Sequence, residues 1–318
     1  MLDTEFFGGL ARAHPPVTHP NTLASLEIVS TGRAVGAEIR GVDLSQPVPA
    51  DVAAALHAAW LDRLVLLFRG QYLDAKHYLD AARIFGETVE GGARRYIKAA
   101  GITLDNQFPE LTILSNLDES GKPVRDNGGL GSYEVVWHSD NSYVELPPAG
   151  SCLYSLEVPT HSGATSFNNQ YVAYETLPDE LKRAIAGKRS KQDASRNSAG
   201  VLRPGLKKPE RPEDVPGPMH PLLRVHPETG KVALYLGRRR VYPSQFIEGM
   251  DEAESEALLA KLWDHATRDE LSWTHVWKAG DFLVWDNRCA MHYREEVDET
   301  QRRVMFRTQF AGQAPIAA

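Results

Sequence analysis

The sequence predicts a mainly β protein with flanking helices, in which strands from distant parts of the chain form one antiparallel core. Three observations carry this prediction. Short apolar runs bounded by glycine, proline or polar turns recur along the chain and dominate its second half. Amphipathic helical segments are inserted between these runs. No internal repeat, heptad pattern or low-complexity linker divides the chain.

The first half of the chain combines short strands with two helices. Pro49 opens an alanine-rich segment with apolar residues at helical spacing, and Gly86 lies near the end of the second helical segment. Residues 88–133 contain glycine pairs and few apolar runs, which predicts a long loop, and loops of this length are usually functional. The predicted elements are two strands within 26–44, a helix over 49–63, a strand over 63–70, a helix over 73–87 and a strand over 111–116.

The second half consists mostly of strands. Residues 163–167, GATSF, are interpreted as a loop, and residues 195–220, rich in proline, glycine, lysine and arginine, as a second long loop. The helix over 171–187 contains Pro178, where a kink is expected. The other predicted elements are a strand over 151–158, a hairpin over 222–237, a helix over 251–267 and strands over 271–277, 281–287 and 302–312.

Composition and charge limit the possible classes. Residues 1–22 lack periodicity and are interpreted as an N-terminal arm, and residues 23–318 as a single domain. The 42% apolar and 24% charged residues are ordinary for a soluble globular protein. The net charge of −7, without a long block of one sign, argues against nucleic acid or an anionic membrane as a partner.

The cysteine count and the apolar runs point to the cytoplasm. Only Cys152 and Cys289 occur, so neither a disulfide framework nor a cysteine-based zinc site is expected. The N-terminus lacks the basic and apolar regions of a signal peptide. No stretch approaches the roughly 18 apolar residues of a membrane helix.

Residues 134–148, EVVWHSDNSYVELPP, place a histidine and an aspartate two positions apart. Residues i and i+2 of a strand point to the same side, so His138 and Asp140 present an imidazole and a carboxylate to one point. Such a pair binds a metal, forms a general-base dyad or makes a hydrogen bond near a strand end. His292, after an apolar strand, is the candidate third ligand. Two histidines and one carboxylate suit non-haem Fe(II) with oxygen.

Two arginines lie four residues apart in the last strand segment, RRVMFRTQF. Strand alternation places Arg303 and Arg307 on one face. Buried guanidinium groups need anionic partners, and a guanidinium binds a carboxylate in a bidentate fork. The alternative, a solvated outer face, remains open from the pattern alone. Thr165, in GATSF, adds a hydroxyl that by itself indicates only a turn residue or a helix N-cap.

Taken together, WHSD (137–140), GATSF (163–167), WDNRCAMHY (285–293) and QRRVMFR (301–307) resemble the taurine dioxygenase/TfdA family of Fe(II)- and 2-oxoglutarate-dependent oxygenases. The similarity extends from about residue 26 to residue 312, and the order and spacing of the motifs agree. The resemblance implies a double-stranded β-helix, or jelly roll, flanked by helices. It also implies Fe(II), 2-oxoglutarate and O2 as cofactors.

Each matching residue has an implied role. His138, Asp140 and His292 are the implied iron ligands and catalytic residues. Arg303 and Thr165 are the implied partners of the distal carboxylate of 2-oxoglutarate. Halogenating relatives carry a small residue at the position of Asp140, so the aspartate implies hydroxylation or a related oxidation and not chlorination.

The substrate pocket has fewer matching residues. Arg307 matches the position that often binds an acidic group on the primary substrate. Taurine-cleaving relatives carry an asparagine where this chain has Glu134, which either meets an amine on the substrate or faces solvent. A small carboxylate, an aryloxyalkanoate-like acid or an amino-acid-derived intermediate therefore fits as well as taurine. The other candidates are Tyr96 on a lid, Tyr143, which reaches the pocket or packs beneath it, and Asn197 and Ser198 in a second substrate loop.

The predicted function is oxidation of a C–H bond of a small anionic substrate, a carboxylate or sulfonate, with succinate and CO2 as co-products. The alternative is a catalytically degenerate jelly-roll protein that binds a small acid without turnover. The intact set of three implied iron ligands and Arg303 argues against it. A His-Asp hydrolase is disfavoured, because no G-x-S-x-G nucleophile elbow is present. The resemblance also implies a homo-oligomer, a dimer or tetramer.

Overall fold

Two β-sheets lie at the centre of the structure, a computed structural model that describes residues 21–90, 107–239 and 242–318. Nearly all strand pairs in them are antiparallel; the pairing of the second and third strands is parallel. The strands, in chain order, are β1 (Glu27–Ser30), β2 (Ala37–Arg40), β3 (Val65–Phe68), β4 (Thr88–Val89), β5 (Thr112–Ser115), β6 (Val135–His138), β7 (Gly150–Glu157), β8 (Thr165–Asn169), β9 (Arg189–Lys191), β10 (Met219–Pro221), β11 (Leu223–Val225), β12 (Val232–Leu234), β13 (Ser272–His275), β14 (Phe282–Asp286), β15 (Ala290–Arg294), β16 (Val304–Phe310) and β17 (Ile316–Ala317).

The strands divide into a large and a small central sheet. The large sheet has the order β1-β2-β3-β14-β7-β16-β4, and β5 pairs with β16 at the same edge as β4. The small sheet has the order β13-β8-β15-β6. Neighbours in both sheets come from distant parts of the chain, as the sequence predicts. Two short sheets, β10-β9 and β12-β11-β17, lie outside this pair.

The two central sheets pack face to face through one apolar cluster. Leu67, Leu153 and Leu283 of the large sheet belong to the same buried cluster as Phe167 and Ala290 of the small sheet. The central strands β3 and β14 are buried along their whole length. Because both of their faces are covered, their sequences are mostly apolar and do not alternate between apolar and polar residues. Two packed antiparallel sheets of this kind form a jelly roll, which confirms the predicted fold class.

The helices lie on the outside of this sandwich. α1 carries its apolar stripe against the large sheet, where Trp60 packs edge-on against Phe310 of β16. The Asp251 side chain caps α5 by accepting a hydrogen bond from the backbone N–H of Glu254. The helices are α1 (Ala50–Arg63), α2 (Ala75–Ala82), α3 (Gln170–Glu175), α4 (Asp179–Ile185) and α5 (Glu252–Ala266). None of the helices in the described ranges is long and apolar enough to span a membrane.

Two local predictions differ from the structure. The single helix expected over 171–187 is two short helices, because Pro178 cannot continue the first and stands at the N-cap of the second. Residues 165–167, expected in a loop, lie in β8, where they pair with both β13 and β15. The predicted arm and domain boundary remain a prediction, since residues 1–20 lie outside the described ranges. Asn21, the first described residue, is buried and donates hydrogen bonds to two backbone carbonyls of the domain.

Candidate active site

The small sheet brings His138 and His292 side by side. His138 is the last residue of β6, and the register of β6 on β15 makes the two histidines direct Cα partners. Both side chains are buried, and their ring centroids lie 4.1 Å apart. Asp140 places its Oδ1 atom 3.6 Å from His138 Nε2 and 3.9 Å from His292 Nε2. Three metal-ligating atoms therefore face one point.

Local contacts orient the two imidazoles differently. His138 Nδ1 lies 2.7 Å from the carbonyl oxygen of Val136. A carbonyl only accepts, so Nδ1 carries the proton and the lone pair is on Nε2, the atom that faces Asp140. His292 is oriented by packing, with the Phe167 ring stacked at 5.9 Å and the Trp285 ring at 4.8 Å. Among the described residues its Nδ1 has no hydrogen-bond partner.

The second carboxylate oxygen of Asp140 has its own partners. Ser151 donates a hydrogen bond to Oδ2 over 2.7 Å, and Arg307 Nη2 lies 2.6 Å from the same atom. The Asn287 side chain accepts from the Asp140 backbone N–H and donates to its carbonyl, which fixes the backbone at the end of β6. These contacts leave Oδ1 directed at the two histidines.

Electrostatics hold Asp140 and His292 in the protonation states that a metal requires. Burial by itself would raise the pKa of the Asp140 carboxyl. Arg307, together with the contacts of His292 and His138, outweighs this effect and keeps that pKa well below its usual range. Burial, together with His138, lowers the pKa of His292 well below its ordinary value. A carboxylate at Asp140 and a neutral imidazole at His292 fit a divalent cation, and neither group must lose a proton when it binds at neutral pH.

Replacing Ser151 with alanine is expected to weaken binding of a divalent metal by about tenfold, because outer contacts that orient a ligand typically contribute 10- to 100-fold in affinity. Anaerobic titration of metal-free protein with Fe(II) in competition with a chelator measures this. Ser155→Ala is the matched control, since Ser155 lies in the same strand and donates to the Lys278 carbonyl. An unchanged affinity in Ser151→Ala, or an equal loss in both variants, would contradict the assigned role.

Two buried arginines lie near the metal-type triad, and the described part of the chain gives neither a negative partner. Arg303 and Arg294 are 4% and 6% exposed, and neither forms an ion pair with a carboxylate of the described residues. The Nε atom of each lacks a hydrogen-bond partner there. Burial, with the nearby charge of Arg294, lowers the pKa of Arg303 well below its usual value, and burial lowers that of Arg294 to about 10. Two buried cations without a counter-ion fit an anionic ligand.

Thr165 adds a hydroxyl beside these arginines. Trp277 donates its indole N–H to Thr165 Oγ1 over 2.9 Å. The hydroxyl oxygen accepts this bond, so the hydroxyl proton is left for an acceptor on the cavity side. In the register of β8 on β15, Thr165 is the Cα partner of Arg294.

A cavity of about 390 Å³ connects these groups. Its polar lining includes the triad, Thr165 and the arginines at positions 294, 303 and 307. Loop residues 128–130 and 197–204 contribute much of the rest. The apolar part of the lining includes Leu114, Leu130, Val135, Leu153, Val201 and Leu202. The cavity therefore combines a charged region with an apolar wall.

Most residues predicted to contact substrate line this cavity. They are Tyr143, Asn197, Ser198 and Arg307. Glu134 does not line it; the side chain is exposed and accepts a hydrogen bond from the Tyr293 hydroxyl. Of the two possibilities for Glu134, the structure therefore favours the outward-facing one. Tyr96 lies outside the described residues.

Sequence reasoning missed Arg294 and Trp277. Arg294 follows His292 at a spacing of two, and strand alternation places both on the same face of β15. The rule that groups His138 with Asp140 therefore also identifies Arg294. Trp277 has no comparable signal, because it lies beyond the end of β13 and reaches Thr165 only in the folded chain.

A second group of metal-type side chains does not form a metal site. His226, Asp286 and Cys289 are buried close together. However, His226 Nδ1 accepts hydrogen bonds from two backbone N–H groups of the following turn, and its Nε2 donates to Asp286 over 3.0 Å. Arg288 also pairs with Asp286, at 2.7 Å. Both imidazole nitrogens are thus occupied, and the group is a structural hydrogen-bond network.

Comparisons with known proteins agree with this geometry. Residues 27–309 match the family described as taurine catabolism dioxygenase TauD, TfdA family. The (S)-phenoxypropionate/alpha-ketoglutarate-dioxygenase of Delftia acidovorans is 35% identical over 91% of this chain and 96% of its own length. The alpha-ketoglutarate-dependent sulfate ester dioxygenase of Pseudomonas putida is 32% identical over 94% and 93%. A taurine dioxygenase structure from Burkholderia xenovorans has a TM-score of 0.70, 29% identity and coverage of 92% and 93%.

The family match extends over most of the chain and agrees with the motifs. Dioxygenases of this family use Fe(II), 2-oxoglutarate and O2, and the His-Asp-His group of the small sheet has the ligand types that such an iron requires. From the fold, the side-chain chemistry and these matches together, the chain belongs to the TauD/TfdA family and is a non-haem iron, 2-oxoglutarate-dependent dioxygenase.

Proposed function

We propose that this enzyme oxidises a C–H bond of a small acid whose body is apolar, with Fe(II) bound by His138, Asp140 and His292. The observation that carries this proposal is the position of the triad in a cavity that also contains an apolar wall and buried arginines without a carboxylate partner among the described residues. When bound, Fe(II) with 2-oxoglutarate and O2 supplies the oxidising power, and the keto acid leaves as succinate and CO2.

The distal carboxylate of 2-oxoglutarate is assigned to Arg303 and Thr165. Arg303 offers a buried guanidinium that has no counter-ion among the described residues, and Thr165 offers a hydroxyl proton. A guanidinium and a hydroxyl together bind a carboxylate through charge-assisted hydrogen bonds. Burial of both groups keeps water away from this end of the cavity, which strengthens each contact.

The acidic group of the substrate is assigned to Arg307. Its guanidinium reaches the cavity and lies 2.6 Å from the outer oxygen of Asp140. A substrate acid paired with Arg307 therefore lies beside the triad, and its neighbouring C–H bonds come near the metal position. Such positioning is the main task of the protein in this chemistry.

The apolar wall defines the rest of the substrate class. Leu130, Val201 and Leu202 belong to the loops that line the cavity, and Tyr143 adds an aromatic ring. An aryloxyalkanoate or an alkyl sulfate ester has one acidic group on an apolar body, and the related dioxygenases described above are named for (S)-phenoxypropionate and for a sulfate ester. We propose this class ahead of taurine, whose short body leaves the apolar wall without contacts.

Aerobic assays of succinate release test the substrate class. The panel pairs aryloxyalkanoates, alkyl sulfates and alkyl sulfonates with analogues in which the acid is replaced by an amide or alcohol. The proposal predicts substrate-dependent succinate release with the amphipathic acids and little with their neutral analogues. Taurine as the best substrate would contradict the class. Binding of acids without substrate-dependent succinate release would favour a binding protein without turnover.

Arg307→Gln is expected to raise the KM for the acidic substrate by about 10- to 100-fold, since a charge-assisted hydrogen bond contributes about 1.5–3 kcal/mol. Because Arg307 also contacts Asp140, this variant and its control are assayed at saturating Fe(II), where the affinity for 2-oxoglutarate should change little. Arg302→Gln is the matched control, because Arg302 belongs to the same segment but pairs with Glu157 outside the cavity. An unchanged KM in Arg307→Gln would remove Arg307 from the substrate site.

The oligomeric state and the cellular location of the protein are also proposals. We propose a homo-oligomer, a dimer or tetramer, in line with the family resemblance, and we propose a cytoplasmic location. Sedimentation velocity of the full chain tests the first, with a monomer as the contradicting result. Fractionation of the producing cells tests the second.

A further inference from the structure

We propose that Arg294 is a second guanidinium for the distal carboxylate of 2-oxoglutarate and makes the site selective for keto acids with two negative charges. This inference rests on the proposed 2-oxoglutarate site and adds to it a residue that neither the motifs nor the chain's matches assign. It makes Arg294 a specificity-determining residue for the keto acid.

Arg294 lies close to both the proposed 2-oxoglutarate site and the metal ligands. Arg294 lines the same cavity as Arg303 and Thr165. It is the direct Cα partner of Thr165 across β8 and β15, and it follows His292 by two positions in β15. Thr165 thus lies opposite Arg294, and Arg294 and the metal ligand His292 point to the same side of the sheet.

The positive charges of Arg294 and Arg303 are not balanced by a carboxylate of the described residues. Arg294 and Arg303 are near enough to repel each other, yet neither has a carboxylate partner among the described residues. Arg294 Nε is buried and has no hydrogen-bond partner there. Two buried like charges are costly unless an anion lies between them. A carboxylate between two guanidinium groups would satisfy both.

A structural role is the competing explanation. Arg294 Nη2 donates hydrogen bonds to the carbonyl oxygens of Gly131 and Tyr133. These contacts hold the loop that contributes Gly128, Gly129 and Leu130 to the cavity. Backbone carbonyls are neutral, however, and a neutral donor such as glutamine can satisfy them. The loop contacts alone therefore do not explain a buried positive charge.

Anaerobic titrations of Fe(II)-loaded protein with two keto acids separate these roles. 2-Oxoglutarate carries the distal carboxylate, and 2-oxopentanoate has the same chain length with a methyl group there. The visible charge-transfer band of the Fe(II)–keto acid chelate reports binding of either one without turnover. Arg294→Gln removes the charge and keeps a hydrogen-bond donor, and Arg294→Lys keeps the charge.

We expect Arg294→Gln to weaken 2-oxoglutarate binding by about 10- to 100-fold and to leave 2-oxopentanoate binding within about twofold of wild type. Arg294→Lys should lie between wild type and Arg294→Gln. Arg303→Gln is the positive control and should show the same selective loss. Asn127→Ala is the loop control, because Asn127 anchors the same loop to the carbonyls of Ser115 and Leu117.

Two results would overturn the inference. One is an equal loss for both keto acids in Arg294→Gln, the pattern expected of Asn127→Ala, which would assign Arg294 to the loop. The other is unchanged affinity for 2-oxoglutarate. Both are distinct from a failure of the proposed function, in which wild-type protein itself would show no 2-oxoglutarate-dependent band.

Discussion

His138→Ala is expected to abolish tight Fe(II) binding and, with it, succinate formation. The loss should exceed the roughly 10- to 100-fold effect of an outer contact such as that of Ser151, because a ligand atom itself is removed. His138 Nε2 is the ligand atom best fixed in advance, since its Nδ1–H bond to Val136 sets the tautomer and the ring orientation. Asp140 and His292 alone would leave a two-ligand site.

Metal content after dialysis and the anaerobic keto acid band measure the effect of His138→Ala. His161→Ala is the matched control, since His161 is exposed and does not line the cavity. The His226 group binds no metal in this account, so wild type should retain one metal ion per chain and His138→Ala none. A full equivalent of Fe(II) and a normal band in His138→Ala would refute the assignment of the triad.

The second large effect is expected for Arg303→Gln, which should weaken 2-oxoglutarate binding by about a hundredfold or more. Removing one partner of a buried ion pair typically costs about 3–5 kcal/mol. The same substitution should leave the ligand-free protein as stable as wild type or more stable. Without 2-oxoglutarate, Arg303 is a buried cation whose described neighbours include Arg294 and no carboxylate.

Thermal unfolding with and without 2-oxoglutarate measures both parts of this prediction. Wild type should gain stability on addition of the keto acid, and Arg303→Gln should gain little at the same concentration. Arg302→Gln controls for loss of a guanidinium elsewhere in the segment. A large loss of ligand-free stability in Arg303→Gln, with unchanged ligand stabilisation, would make Arg303 a structural residue.

Strand alternation explains how much of the site can be read from sequence. It groups His138 with Asp140, and the structure brings both to the same point, although β6 ends at His138 and Asp140 lies in the turn that follows. His292 is half the chain away, and only the pairing of β6 with β15 makes it the neighbour of His138. No local pattern encodes such a register. From the residues alone His292 is therefore only a candidate third ligand, and the family resemblance adds the support that a local pattern cannot give.

The remaining differences have similar physical causes. Thr165 was expected in a loop, because GATSF contains glycine and small polar residues. Pairing with β13 and β15 on both sides holds it in a strand instead. The direction of Glu134 was left open, since a residue just before β6 can turn either way; its contact with Tyr293 accounts for the outward one. Arg294 was missed although the i, i+2 rule applied to it equally.

The support of Asp140 is the least local feature of the site. Ser151 in β7 donates to Asp140, and Gln309 in β16 donates to Ser151 over 3.2 Å. Asn141 donates to Gln309 over 2.8 Å, and Tyr143 at the cavity wall donates to Asn141 over 2.9 Å. Three segments of chain thus support one carboxylate. Such a network depends on the tertiary fold and leaves no spacing that sequence reasoning can detect.

The most direct test of the whole account is an anaerobic titration of the metal-free wild-type chain with Fe(II) and then 2-oxoglutarate, followed by visible absorption. We expect a charge-transfer band that saturates at one Fe(II) and one 2-oxoglutarate per chain, and that shifts when an amphipathic acid is added. A correctly folded protein that shows no band at saturating Fe(II) and 2-oxoglutarate would contradict the assignment of His138, Asp140, His292 and Arg303.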